Sequence, residues 1–150
     1  MTTGLGVLAA AVVLALGFGL WRAATDGRFG GTHRVRGVAG ETVAAAATSS
    51  VLAGTTYDGQ LGERATLLQF STAFCAPCRA TRRVLEEVAR IVPGVAHVEV
   101  DAEHHLDLVR RLGILRTPTT VVLDPHGREV SRAAGAPSKQ AVIASLDSLA

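Results

Sequence analysis

Cys75 and Cys78, separated only by Ala76 and Pro77, are the residues of this sequence best suited to covalent chemistry, and they are its only cysteines. The run before them, TLLQFS at 66–71, is a short apolar stretch that reads as a buried strand. The run after them, 76–91, places Val84, Leu85, Val88, Ala89 and Ile91 on one helical face. Arg79, Arg82, Arg83, Glu86, Glu87 and Arg90 fall on the other, and Pro93-Gly94 ends the pattern. The pair therefore sits where a strand gives way to a helix. A helix start presents unpaired N–H groups and partial positive charge, which stabilise a thiolate and lower its pKa. Pro77 suits that position, since its missing N–H costs nothing there. The chemistry this allows is thiol–disulfide exchange. Cys75 attacks a disulfide, a mixed disulfide forms, and Cys78 resolves it to leave the pair oxidised. In reverse the pair oxidises a dithiol.

Three other uses of two cysteines stand beside this one. A zinc site needs two more ligands, for which His97, His104 and His105 are the candidates. The adjacent histidines diverge at a helix start, and no second CxxC exists. A structural disulfide over so small a loop constrains little of the unfolded chain. Two unrelated buried cysteines are the third possibility. The strand–CxxC–helix context favours redox use.

The elements that must position the pair follow from the same reading. AHVEV at 96–100 is an expected strand, and 106–112 a short helix with Leu106, Val109 and Leu112 at helical spacing. TTVVLD at 119–124 is a strand, Pro125-His126-Gly127 a turn, and EVSRAA at 129–134 the second arm of a hairpin. A final helix runs over 138–149 with Ser138 as N-cap. This β-α-β-α-β-β-α order predicts an α/β domain, a central mixed sheet flanked by helices.

The N-terminal segment has a different character. Residues 4–21 carry no charge and end at Trp21; at 1.5 Å per residue they span about 27 Å as a helix. This predicts a single transmembrane anchor over 1–21. A cleaved leader fits less well, because no Lys or Arg precedes the run. Arg22, Arg28, Arg34 and Arg36 follow it, so the positive-inside rule places the remaining chain on the cytoplasmic side. Residues 37–65 are rich in Gly, Ala, Thr and Ser and read as a flexible tether running into the domain edge, so the linker is expected over 22–59, with a short edge strand starting at Val51-Leu52. The domain is then expected over 60–150. Net charge is +2 and the basic residues are dispersed, which excludes a nucleic-acid-binding patch.

Several segments, in order and spacing, resemble the thioredoxin family over roughly 60–150: the strand–FCAPC–helix segment, Thr117-Pro118-Thr119 before an apolar strand, the Asp124-Pro125-His126-Gly127 turn, the Ala134-Gly135-Ala136 loop and the closing helix SKQAVIASLDSL. The resemblance implies a thioredoxin-like fold and a cis bond before Pro118 that exposes the backbone of Thr117 to a substrate segment. It also implies a docking rim of Phe74, Ala76, Pro77, Arg116, Thr117, Pro118 and Gly135, where Gly135 lets a chain approach closely.

The departures matter too. Phe74 stands where the family has Trp, Ala76 where it has Gly, and Arg83 where it has a helix-kinking Pro. Gln69 stands where the family has a buried acid, and Glu99 where its partner lysine falls, so Glu99 becomes a candidate proton relay to Cys78. The implied function is a protein thiol–disulfide oxidoreductase, a reductase in direction. It needs no cofactor beyond its own disulfide and no metal. Its partners would be protein disulfide or dithiol substrates, a separate electron-donating reductase and a membrane through residues 4–21. Two alternatives remain: an exported domain for cytochrome maturation or disulfide repair, and a redox-inert docking or sensor domain.

Overall fold

The computed structural model describes residues 2–31 and 49–149. The element order is α1 (Thr2–Thr25), β1 (Phe29–Gly31), β2 (Ala65–Ser71), α2 (Ala76–Ile91), β3 (Val95–Asp101), α3 (Leu106–Arg111), β4 (Thr119–Leu123), β5 (Glu129–Ala134) and α4 (Lys139–Asp147). The strands form one sheet in the order β1-β5-β4-β2-β3. Only β2 and β3 are parallel; the other pairings are antiparallel.

Alternation along the central strands divides the core in two. Leu68 and Phe70 of β2 face one side with Val98, Val100, Leu108, Ile114, Val121 and Leu52. Ala65 and Leu67 face the other with Leu85 and Val88 of α2 and Val142 and Leu146 of α4. Because β2 is buried on both faces, its apolar run is nearly continuous, and Gln69 is the one fully buried long polar side chain in it. Ser138 caps α4 as expected, its Oγ accepting from the N–H of Ala141 at 3.2 Å.

Two stretches of the predicted 22–59 linker are structured. Phe29–Gly31 pairs with β5, with Phe29 opposite Ala133 and Gly31 opposite Ser131. Leu52 is fully buried among the β2 and β3 side chains. Residues 51–59 form turns rather than the edge strand expected at Val51-Leu52, closed by bonds such as Ala53 N–H to Ser50 C=O at 3.1 Å. At the start of that segment α1 continues to Thr25, past the expected boundary at 21, and residues 32–48 lie outside the described residues.

The N-terminal run is a helix, as its composition demands. Among the described residues, however, no helix is long and apolar enough to cross a membrane. What the structure records at 4–21 is a helix with Val7, Leu8, Val12, Val13, Leu14, Leu16, Phe18, Leu20 and Trp21 exposed.

The topology has one consequence for the site. The ends of β2, β3 and β5 and the starts of β4 and β1 all lie along a single edge of the sheet, because β4 and β1 run opposite to their neighbours. The cysteine pair, Pro118, Gly135 and the end of α1 are therefore delivered to the same edge.

Candidate active site

Cys75 is the N-cap of α2. Its backbone is extended (φ −104°, ψ 99°), and its Sγ accepts a hydrogen bond from the N–H of Cys78 at 3.1 Å. Pro77 occupies the first turn, and no acidic residue lies in that turn. Cys75 and Cys78 are joined as a disulfide, with S–S 2.04 Å and Cα–Cα 5.2 Å. The two sulfurs are unequal. Cys75 is half-buried, whereas Cys78 is 2% exposed beneath it. Once the bond opens, Cys75 is the sulfur that a disulfide in solution can reach, and the backbone N–H groups of the helix start favour its thiolate.

Beneath the disulfide the protein is polar. Gln69 donates through Nε2 to the carbonyl of Cys78 at 2.9 Å and to Ser71 Oγ at 2.8 Å. Two acceptors on Nε2 fix the amide orientation, so Oε1 faces His97 Nε2 at 3.1 Å and must accept from it. His97 is thereby held as the Nε2–H tautomer. Burial pushes its pKa below the ordinary histidine value, against the opposing pull of Glu86 and Glu99. The sequence placed Glu99 as the partner of the Gln69 position; the structure places His97 there. The two strands are parallel with Gln69 level with Glu99, and the imidazole reaches across from two residues earlier on the same face.

Glu99 does point to the α2 side of the sheet. It lines a cavity of about 470 Å³ together with Tyr57, Thr72, Cys75, Cys78, Arg82 and Asp101. Its Oε2 meets Arg82 at 2.6 Å. Its Oε1 is buried with no hydrogen-bond partner among the described residues. Asp101, in the same cavity, is occupied: it accepts from the N–H of Glu103 at 2.9 Å and contacts His104 Nδ1 at 2.8 Å, and these bonds hold its carboxyl below the usual range.

The residues of the predicted rim lie along this edge of the sheet. Phe74 is fully exposed beside Cys75, and Ala76 and Pro77 are exposed. The Thr117-Pro118 bond is cis, and Thr117 Oγ1 lies 3.3 Å from Thr72 Oγ1, which ties this loop to the one before Cys75. Leu115, almost fully exposed next to Arg116, belongs to the same surface and was missed in the sequence. Its signal was a second apolar residue directly after the buried Ile114, ahead of Arg116 and outside the helical run that ends at Leu112. Pro118 and Gly135 are buried. The cover over Gly135 is Asp26, whose carboxylate pairs with Arg116.

The histidines weighed as zinc ligands are dispersed. His97 bonds Gln69, His104 bonds Asp101, and His105 packs edge-on against Tyr57 with centroids 5.1 Å apart. Among the described residues no cluster of three His, Cys, Asp or Glu is placed to hold a metal ion.

Comparison with known proteins agrees with this geometry. The thioredoxin family model matches residues 48–148, about two thirds of the chain. A thioredoxin H-type of Fagopyrum esculentum is 31% identical over 70 residues, 47% of this chain and 60% of that protein. A thioredoxin of Chlamydia trachomatis is 30% identical over 77 residues, 51% of this chain and 74% of that one. The match to the Fagopyrum protein thus spans less than two thirds of its length. Among solved structures, a mutant thioredoxin from Halobacterium salinarum superposes with TM-score 0.54 at 23% identity, covering 58% of this chain and 75% of that one. Thioredoxin F from spinach chloroplast gives 0.52 at 24%, covering 59% and 78%. These two likenesses speak for the fold. With the family model spanning β2 through α4 and a redox disulfide capping α2, the chain belongs to the thioredoxin family.

Proposed function

We propose that the protein is a thiol–disulfide oxidoreductase working as a reductase of protein disulfides. The observation that carries this is the unequal exposure of two bonded sulfurs at a helix start. In the reduced protein, the Cys75 thiolate attacks one sulfur of a substrate disulfide, and the other substrate sulfur leaves as a thiolate. Cys78 then loses its proton and attacks Cys75 Sγ. The second substrate sulfur leaves, and Cys75–Cys78 is oxidised while the substrate has gained two electrons. A separate reductase must return those electrons. The docking rim is Phe74, Ala76, Pro77, Leu115, Arg116 and Thr117, with Pro118 and Gly135 behind it.

The proton of Cys78 needs an acceptor. Gln69 cannot take it, and His97 is turned to Gln69 through its N–H. Glu99 lines the same cavity as Cys78, and its Oε1 has no hydrogen-bond partner among the described residues. We assign the relay to Glu99.

The reading of α1 is that it holds the domain to a membrane, with the domain on the cytoplasmic side. It is supported by an uncharged run from 4 to 21, by the exposed apolar side chains along it, and by the arginines that follow. Turbidimetric insulin reduction with dithiothreitol tests the activity: the protein accelerates it and Cys75→Ser returns it to background. Equal rates for the two would make the domain a redox-inert docking module. Labelling of Cys75 by a membrane-impermeant thiol reagent in intact cells tests the side. No labelling is expected, and prompt labelling would favour the exported alternative.

A further inference from the structure

We propose that Asp26–Gly31 is a self-docked strap on the redox edge, and that Asp26 sorts substrates by how much extended chain accompanies their disulfide; this rests on the docking rim proposed above. The strap begins where α1 ends, the N–H of Asp26 still bonding to Arg22 C=O at 2.9 Å. Gly27 then takes a left-handed turn (φ 71°) and donates its N–H to Ala134 C=O at 2.9 Å. A Cβ at position 27 would stand 2.2 Å from the carbonyl oxygen of Ala136, so the turn seats directly on the β5–α4 loop.

The Asp26 carboxylate lies on Gly135. A Cβ built there would meet Asp26 Cγ, Oδ1 and Oδ2 at 2.6–2.7 Å. Arg116 fastens the arrangement from the other side, donating to Asp26 Oδ1 and, at 2.5 Å, to Ala134 C=O. Two residues of the rim, Arg116 and Gly135, are thus occupied by the chain's own Asp26. Phe74 and Leu115 are left open.

The strap is anchored by Phe29, packed against the core, but the hold on Asp26 itself is light: both partners of its ion pair are about two-fifths exposed, a setting in which such pairs contribute little and salt screens them. A small disulfide that needs only Cys75 and Phe74 meets no obstacle. A disulfide within an extended polypeptide that runs past Thr117 toward Gly135 must first displace Asp26.

The test uses the full-length protein in detergent micelles and two probes, a small aromatic disulfide and a peptide disulfide long enough to cross the rim. Asp26→Ala should raise the ratio of peptide to small-disulfide kcat/KM by about threefold, the scale of an exposed ion pair. High salt should raise the same ratio in the native protein and not in Asp26→Ala. A ratio that stays the same or falls in Asp26→Ala would overturn the proposal, because Asp26 would then be idle or would itself contact substrate. Phe74→Ser with Leu115→Ser separates the strap from the rim: an unchanged peptide KM would overturn the rim itself, whatever the ratio shows.

Discussion

On the β3 side of the disulfide, a fully buried Gln69 bonds the carbonyl of the buried Cys78 and the half-buried His97, with Glu99 reaching out to an exposed Arg82 at its margin. On the β5 side, Arg116, Asp26 and Ala134 are bonded as closely but in reach of solvent, between segments far apart in sequence. The first flank is costly to disturb, since a buried donor or acceptor that loses its partner keeps its full desolvation penalty. The second is cheap to disturb, since water replaces what is lost. On the proposed mechanism the flanks have separate tasks: the buried side holds Cys78 and the group proposed to take its proton, and the exposed side meets the substrate.

The largest expected effect lies on the buried flank. Glu99→Gln should slow the resolution step by about 10²-fold near neutral pH and flatten its pH dependence, while alkylation of Cys75 in the reduced protein keeps its native rate. Stopped-flow decay of a Cys75 mixed disulfide measures this, and Glu99→Asp should recover part of the rate. An unaltered profile would remove Glu99 from the mechanism.

Gln69→Leu comes next. It leaves the carbonyl of Cys78 and the N–H of His97 without partners, and should cost about 2 kcal/mol in chemical denaturation. A loss as small as that of a surface substitution would mean that the buried chain does not hold Cys78.

His97 supplies a pH signature of the same flank. Its folded pKa lies below the ordinary value of 6.5 because burial disfavours the imidazolium. Between that folded pKa and 6.5 the unfolded chain binds more protons. Stability therefore rises with pH through this window, is fully present above about 6.5, and falls as the solution is acidified below it. Urea titrations across that window should show the slope, and His97→Gln should reduce it.

The smallest effect is on the exposed flank. Arg116→Ala should cost about 0.5 kcal/mol, diminishing with added salt. A cost matching that of Gln69→Leu would erase the contrast between the flanks.

The contrast also tracks what could be read from the sequence. β2 and α2 lie within a residue of their expected bounds, because each has a strong hydrophobic pattern and a clear terminator, and β5 does so because the Pro125-His126-Gly127 turn sets its start. The cysteine pair was legible because strand, cap and helix are contiguous in the chain. The exposed flank was not. Phe29-Gly30-Gly31 has little strand propensity of its own and is a strand only because β5 lies beside it. Leu52 sits among Gly, Thr and Ser and is drawn into the core by tertiary contact alone. Asp26 meets Arg116 across 90 residues of chain, and no local pattern announces that. On the buried flank, the sequence located the non-titrating Gln69 but not its true partner, since strand register and side-chain lean decide between His97 and Glu99.

The proposed mechanism turns on Cys75 as the attacking sulfur and Cys78 as the resolving one. It is tested most directly by incubating the reduced Cys78→Ser and Cys75→Ser variants with a peptide disulfide and weighing the products by intact-protein mass spectrometry. A stable mixed disulfide on Cys75 in the first variant, and little adduct on the buried Cys78 in the second, is the predicted result. Equal trapping by both variants, or trapping by Cys75→Ser alone, would contradict it.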